Sequence, residues 1–501
     1  MTFRQQTIFI ALAVWAVAIA GLAVGNLGDP NIWYDESLQI CAALGQNHFA
    51  NYGDHRGDWR DAIHFSRRST WDADAYVLIL HTLAKITTQP WIFRLASLLF
   101  FCLTAWFFTL LALHWLPDSP LAPFAGFIFI LPAHLCYYAF EIRPYTLEML
   151  HLAVLVYLAC KPEALGNKKR ALAWGCLAAL SMASRYSSIF PAALGTAFLG
   201  SSLWLARGEA LSLQPFSRRL GRFLCFLAPN CLVGLLMLGS LSIQWQYATA
   251  MAAYHKRFLF WNAPEEILNW GTLLLWLPFL ALLVLRRLFP ENRRYDRYLL
   301  FTLLLNLLRL AADLAGLLPY SLRHRFNLSS YLLLCFSWLP LLLFIRESIL
   351  SRLQGRLAIL IRVIPIALTL LLVTLAISQT ATFSRDTPDT SIRYLRSLPA
   401  EPTPKILASF RCYPALRYAF EFGPLQDRFH WLENISYYGP KIPGPERQDW
   451  VVKKRFEFIA SQNASLTEQH YQLAIRKKFS LILESTADFR VLIVPLPELT
   501  Y

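Results

Sequence analysis

The chain of 501 residues is poor in the signatures that mark soluble catalytic proteins. No Cys/His cluster has metal-ligand spacing, no glycine-rich loop is placed to cradle a phosphate, and no segment repeats at a fixed period. Neither a metal nor another cofactor is therefore expected. The nine cysteines supply no framework. Cys102, Cys136, Cys160, Cys176, Cys225, Cys231 and Cys335 fall in or at the ends of apolar runs, where a thiol behaves as a small hydrophobe. Only Cys41 and Cys412 are left to bridge, with no spacing pattern to argue for it. Charge is scarce too. Ionised side chains make up 16% of the residues against 56% hydrophobic ones, and the mean hydropathy is +0.40. That is too apolar for a soluble enzyme, and the long uncharged runs match the roughly 20 residues that cross a bilayer.

The chain thus reads as a polytopic membrane protein, α-helical, with eleven spans expected near 7–25, 94–115, 121–139, 145–160, 171–186, 188–206, 222–244, 268–285, 297–318, 328–345 and 357–380. The segment 76–86 is left out because it is too short for the apolar core and is interrupted by His81 and Lys85; it is expected to lie flat on the membrane. The net charge of +15 and isoelectric point near 9.5 read as topology rather than as a nucleic-acid footprint. With the N-terminus inside, the basic loops around 161–170, 207–222, 286–297 and 346–356 all fall on the cytoplasmic side, as the positive-inside bias requires. A twelfth span would throw them outside. Arg4 and the apolar run after it also resemble a signal peptide with Ala23-Val24-Gly25 as cleavage site, but the run is longer than a signal core and favours a retained anchor.

Residues 1–380 then form a transmembrane domain with an extracytoplasmic loop at 26–93, and 381–501 form a small extracytoplasmic α/β domain. In that tail, strands are expected at 405–410, 480–483 and 490–494, with a helix at 415–422 after Pro414. The sequons at Asn434 and Asn463 matter only in a host that glycosylates them.

Polar groups gather on the outer face, where charge at membrane depth persists only if paired or lining a cavity. The acids Asp35 and Glu36 follow the first span. Glu141-Ile-Arg143-Pro-Tyr145 lies between the third and fourth helices, Ser184-Arg185-Tyr186 between the fifth and sixth, and Arg323-His324-Arg325-Phe326 before the tenth. Each has a plainer reading. The acids suit the first turn of a helix, the arginines suit headgroup anchoring, and Arg185 suits capping of the preceding helix. Asp72 and Asp74 read as N-caps more readily than as contacts to a sugar or divalent ion. Arg309 and Asp313, one turn apart, read as a mutually neutralising pair. Glu148 and His151 share a face and either line a groove or are satisfied within the bundle.

Taken in order, Tyr34-Asp35-Glu36, Trp91-Ile-Phe-Arg94-Leu-Ala-Ser97, Tyr138-Ala-Phe-Glu141-Ile-Arg143-Pro-Tyr145, Ser184-Arg185-Tyr186-Ser187 and Arg325-Phe326 resemble the GT-C glycosyltransferases of family 39. These are the polytopic enzymes related to protein O-mannosyltransferases and aminoarabinose transferases, and the resemblance covers roughly residues 7–345. It implies transfer of one sugar, with inversion, from a polyprenyl-phosphate donor to a lipid, glycan or protein acceptor outside the cytoplasm. The setting it implies is the inner or plasma membrane, with membrane lipids as partners and no nucleic acid. It also implies that Arg143 and Arg325 hold the phosphate, supported by Tyr145 and His324. The chain departs from the pattern where many relatives carry His-Pro-Pro or Lys-Pro-Pro, here Trp71-Asp72-Ala73-Asp74, which puts the donor contact made there in doubt.

The chemistry fits the residue types. A departing phosphate needs positive charge more than a proton, and the planar guanidinium groups of Arg143, Arg185 and Arg325 suit phosphate oxygens. The acceptor hydroxyl needs one base, for which Asp35 is the choice, with Glu36 in an orienting or assisting part; Tyr186 accompanies Arg185 in donor binding. Rival readings are a transporter or flippase of lipid-linked sugars, an oligosaccharide polymerase or ligase, and an inactive scaffold. A transporter usually shows matching halves, and none is visible.

Overall fold

The computed structural model describes residues 3–29, 32, 34–46, 57–69, 72–117, 119, 122–130, 132–204, 215–258, 270–289, 293–314, 328–348, 389–401, 403, 406–409, 413–438, 481–485 and 491–495. In chain order the α-helices are α1 (Phe3–Asn26), α2 (Tyr34–Ala43), α3 (Trp59–Ser69), α4 (Asp74–Ala84), α5 (Pro90–Trp115), α6 (Ala133–Ala139), α7 (Tyr145–Cys160) and α8 (Lys168–Met182). They continue with α9 (Ile189–Trp204), α10 (Phe216–Phe258), α11 (Trp270–Leu288), α12 (Asp296–Leu314), α13 (Leu328–Phe336), α14 (Trp338–Ser348), α15 (Asp389–Ser397) and α16 (Tyr413–Glu421). The strands are β1 (Ile406–Ser409), β2 (Ile435–Tyr438), β3 (Leu481–Ser485) and β4 (Val491–Pro495). The chain divides into two compact units. One comprises Met1–Asn26, Trp71–Tyr76 and Leu95–Thr382; the other comprises Leu27–Thr70, Val77–Arg94 and Phe383–Tyr501.

The first unit is a helical bundle built around α7. Every residue of that helix from Tyr145 to Ala159 is buried, because its sequence is apolar on all faces and a helix of that kind has no side to give to water. Helices α8, α9, α12 and α13 pack around it. Helices α8 and α10 approach closely where Gly175 faces the Phe226 main chain. A Cβ at this position would stand 2.5 Å from the Phe226 carbonyl oxygen. Small residues permit such crossings in apolar bundles, and Asn230 Nδ2 fixes this one by donating to Phe226 O at 2.8 Å and Gly175 O at 3.4 Å.

Among the described residues, three helical stretches are long and apolar enough to cross a membrane, Gln5–Asn26, Pro90–Trp115 and Phe216–Ser240. The expected spans at 145–160, 171–186, 188–206, 268–285 and 297–318 correspond to α7, α8, α9, α11 and α12. Two others differ from the continuous helices expected. Residues 121–139 form a 3₁₀ helix, Ala122–Phe129, and the separate α6, which begins after Pro132. Residues 328–345 are divided between α13 and α14 at Ser337, because Pro340 has no N–H to return to Phe336 O four residues back. The Ser337 amide instead bridges Leu333 O and Leu334 O at 3.0 and 3.2 Å. The run expected at 222–244 is part of the much longer α10, and the span expected at 357–380 lies outside the described residues. Helix α4, with 11 residues, is about 16 Å long at 1.5 Å per residue, well short of a bilayer core.

The second unit contains α2, α3, most of α4, α15, α16 and a four-stranded sheet ordered β2-β1-β3-β4. Strand β1 pairs in parallel with β2 and β3, with Ile406 opposite Ile435 and Leu481, and β3 pairs antiparallel with β4. The parallel β1–β2 pair requires a crossover, which α16 and the 3₁₀ helix Gln426–Asn434 provide. Strands β1, β3 and β4 and helix α16 lie at the positions expected from the tail sequence, whereas β2 is a strand the sequence reading does not contain. Helix α16 packs on α2.

Gly175→Ala should push α8 and α10 apart and destabilise the bundle by about 1–3 kcal/mol, the usual cost of overpacking. The readout is the melting temperature of the purified protein in detergent.

Candidate functional site

The charged centre of the bundle is Glu148, one turn into α7 and fully buried. A carboxylate in such surroundings is tolerated only if its charge is met. Glu148 Oε2 accepts from Arg185 Nη1 at 2.7 Å, and Oε1 accepts from Ser187 Oγ at 2.9 Å and Ser329 Oγ at 3.2 Å. Arg309 Nη2 lies 3.6 Å from the same Oε1 and donates to Ser187 O at 3.3 Å. The starts of α7, α9 and α13 and the ends of α8 and α12 therefore meet at one end of the bundle around a single anion.

From Arg185 the network runs outward. Its Nε stands 3.6 Å from Asp72 Oδ1, and Asp72 Oδ2 stands 3.3 Å from Arg143 Nη1. Tyr145 lies beneath both arginines, its ring centre 5.6 Å from the Arg143 guanidinium carbon and 5.0 Å from that of Arg185, with Arg143 Nε donating to its hydroxyl at 3.4 Å. Arg143 and Arg185 keep 7% exposure each and Asp72 4%, whereas Arg309 keeps 1%. The main chain holds this arrangement. Ala75 N donates to Ala183 O at 3.0 Å, tying the Asp72 segment to the turn after α8. Ser97 Oγ donates to Glu141 O at 2.7 Å and shares a hydrogen bond with Tyr76 Oη at 2.9 Å, joining that segment and α5 to the turn that carries Arg143.

Three of the sequence-predicted residues, Arg143, Tyr145 and Arg185, are thus brought together. Helix α8 ends at Met182 with Ala183 as C-cap, and the Arg185 guanidinium pairs with the carboxylates of Glu148 and Asp72. Tyr186 Oη pairs with Ser240 Oγ at 2.8 Å, toward α10. His324 and Arg325 lie outside the described residues. Arg309 finds its carboxylate in Glu148 across the bundle, and the Asp313 side chain lies outside the described residues. Asp72 is an ion-pair partner, while Asp74 opens α4. The sequence carried a signal for Glu148, an acid in an otherwise apolar helix, but none for Ser187 and Ser329, which only tertiary packing brings to it.

In the second unit the two acids after the first span separate, as neighbours on a helix must. Glu36 is fully buried and pairs with Arg94 Nη2 at 3.2 Å; Arg94 also donates to Asp29 O. Asp35 is half-buried. On the buried side of α2, Cys41 is a free thiol whose pKa burial pushes up to about 12, with Arg417 opposing. Cys412 lies outside the described residues. Tyr418 Oη donates to Thr88 O at 2.9 Å, and burial pushes this phenol up as well. No cluster of three or more His, Cys, Asp or Glu side chains able to hold a metal occurs among the described residues.

No protein-family model matches the chain, and neither does any curated protein. Among solved structures, ArnT from Cupriavidus metallidurans bound to undecaprenyl phosphate aligns over 99% of this chain and 98% of its own, at 12% identity and a TM-score of 0.45. A likeness at that score carries no weight for function.

Two outcomes follow from the pairing and burial. Glu148→Ala leaves Arg185 and Arg309 facing each other without their shared anion and should cost about 3–5 kcal/mol of stability, read as a lowered melting temperature. Cys41, protonated throughout the neutral range, should resist a water-soluble maleimide at pH 7 in the folded protein and react after denaturation.

Proposed function

We propose that the chain is a membrane glycosyltransferase that moves a single sugar from a polyprenyl-phosphate donor to an extracytoplasmic acceptor, with inversion at the anomeric carbon. The observation that carries this reading is the pairing of Arg143 and Arg185 around one carboxylate, over the Tyr145 ring, at one end of an apolar bundle. Buried guanidinium groups of this kind suit an anion presented from lipid. A lipid-linked phosphate brings its own apolar tail, whereas a nucleotide sugar is a cytoplasmic, water-soluble donor.

In the reaction the acceptor oxygen bonds to the anomeric carbon as the bond from that carbon to the phosphate oxygen breaks. The hydroxyl proton passes to the base, and the carrier leaves as a phosphate monoester. Arg143 and Arg185 stabilise the charge that grows on the departing oxygens, often the largest catalytic contribution. We assign the base to Asp35, the half-buried member of the acidic pair, because one carboxylate suffices where no leaving alkoxide needs a proton. Glu36, committed to Arg94, supports α2 and so serves Asp35 indirectly. Arg325 and His324 are assigned to the donor phosphate by the family resemblance alone. The setting we propose is the inner or plasma membrane, with the N-terminus inside and residues 381–501 outside.

Asp35→Asn should abolish transfer from a polyprenyl-phosphate sugar while leaving the protein folded and inserted, which also separates an enzyme from a transporter or scaffold. Retained transfer assigns the base elsewhere. In the wild type the rate should fall on the acid side as the base is protonated, and a profile flat from about pH 4 to 8 would speak against a carboxylate base. Arg143→Ala should weaken donor binding and slow transfer together, measured as a higher KM and a lower kcat.

A further inference from the structure

Asp72 stands between Arg143 and Arg185. Its carboxylate spans the two guanidinium groups, one oxygen to each, at 3.3 and 3.6 Å. A phosphate group bridging two arginines would present its oxygens in the same manner. Both contacts are longer than the 2.7 Å between Arg185 and Glu148 and exceed the roughly 2.7–2.9 Å of a well-formed charge-assisted hydrogen bond. Glu148 is clasped by two serine hydroxyls and two arginines deep in the bundle, whereas Asp72 stands at the outer end of the network, in the segment before α4.

We propose that Asp72 is a displaceable internal counter-ion, holding Arg143 and Arg185 while the site is empty and yielding them to the phosphate of a lipid carrier. The inference rests on the reading of those arginines as the donor-phosphate seat. Its physical basis is that two buried guanidinium groups side by side carry more positive charge than Glu148 alone offsets, and a second anion between them is favoured. A tethered carboxylate supplies that anion but competes with the incoming phosphate at a high effective concentration. Glu148 stays in place throughout and fixes the position of Arg185. After transfer, the returning Asp72 carboxylate competes with the carrier phosphate and favours its release.

The test is equilibrium binding of a short-chain polyprenyl phosphate, and separately of inorganic phosphate, to the purified full chain in detergent. The proteins compared are the wild type, Asp72→Asn, Asp72→Glu and Arg143→Ala. Asp72→Asn should bind the lipid phosphate about tenfold tighter than wild type, a difference of about 1.4 kcal/mol. Its melting temperature should be lower without ligand and should rise more on adding it. Asp72→Glu, with a longer arm that closes the present gaps, should bind several-fold more weakly. This variant keeps the charge and so tests the idea even if the asparagine variant does not fold. Tightening of both ligands in Asp72→Asn supports a seat that reads phosphate alone, and tightening of the lipid phosphate only supports a seat that also reads the tail. If Arg143→Ala weakens binding but neither Asp72 variant shifts it as stated, the counter-ion assignment fails and the donor-phosphate reading stands. If Arg143→Ala leaves binding unchanged, both fail.

Discussion

A carboxylate buried in an apolar bundle is stable only when its charge is met, and the first unit is arranged to meet that of Glu148. Arg185 comes from the turn after α8, Ser187 from the turn into α9, Arg309 from α12 and Ser329 from α13, while Glu148 itself rides on α7, the most enclosed helix. The bond at 2.7 Å to Arg185 locates the guanidinium that reaches Asp72, and Asp72 in turn meets Arg143. Each charge is placed by the one beneath it, from the bundle interior to its end. Removing the deepest member would therefore disturb all the others.

Packing supplies the precision that such a chain of ion pairs needs. Gly175 lets α10 come close to α8, and Asn230 fastens the two through main-chain carbonyls. Ser97 and Tyr76 link the Asp72 segment and α5 to the turn before α7, so the arginine and the acid that face each other are positioned through short hydrogen bonds. The same logic appears in the second unit on a smaller scale, where Glu36 and Arg94 neutralise each other out of contact with water and Arg417 pairs with Glu421 at 2.8 Å.

The acids differ in burial and in the length of their contacts, and the chemistry proposed follows that difference. Glu148 and Glu36 are buried and paired, which suits them to hold arginines in place. Asp35 is half-buried, and Asp72 has long contacts to both of its partners. Positive charge that is preorganised, as Arg143 and Arg185 are by Tyr145 and Glu148, stabilises a departing phosphate without reorganisation during the reaction.

Composition and periodicity determined by themselves that the chain is largely helical and rich in apolar runs, roughly where helices such as α1, α5, α7, α9 and α12 lie, and that the tail carries strands, because apolar run length and local turn residues act over a few residues. They also placed Arg143 and Arg185 among the functional candidates, because arginines between apolar runs are unusual wherever they occur; Tyr145 entered as phosphate support through the family resemblance. Pairing was another matter. Arg309 meets Glu148 from another helix, and Asp72 stands between two arginines from distant turns, partners that no spacing along the chain marks. The breaks at Pro132 and before Pro340 were also missed, since hydropathy averages over a proline. Only the tertiary structure decided which charge faces which, because ion pairs are set by distances between side chains far apart in sequence, and a linear reading sees only the nearer neighbour.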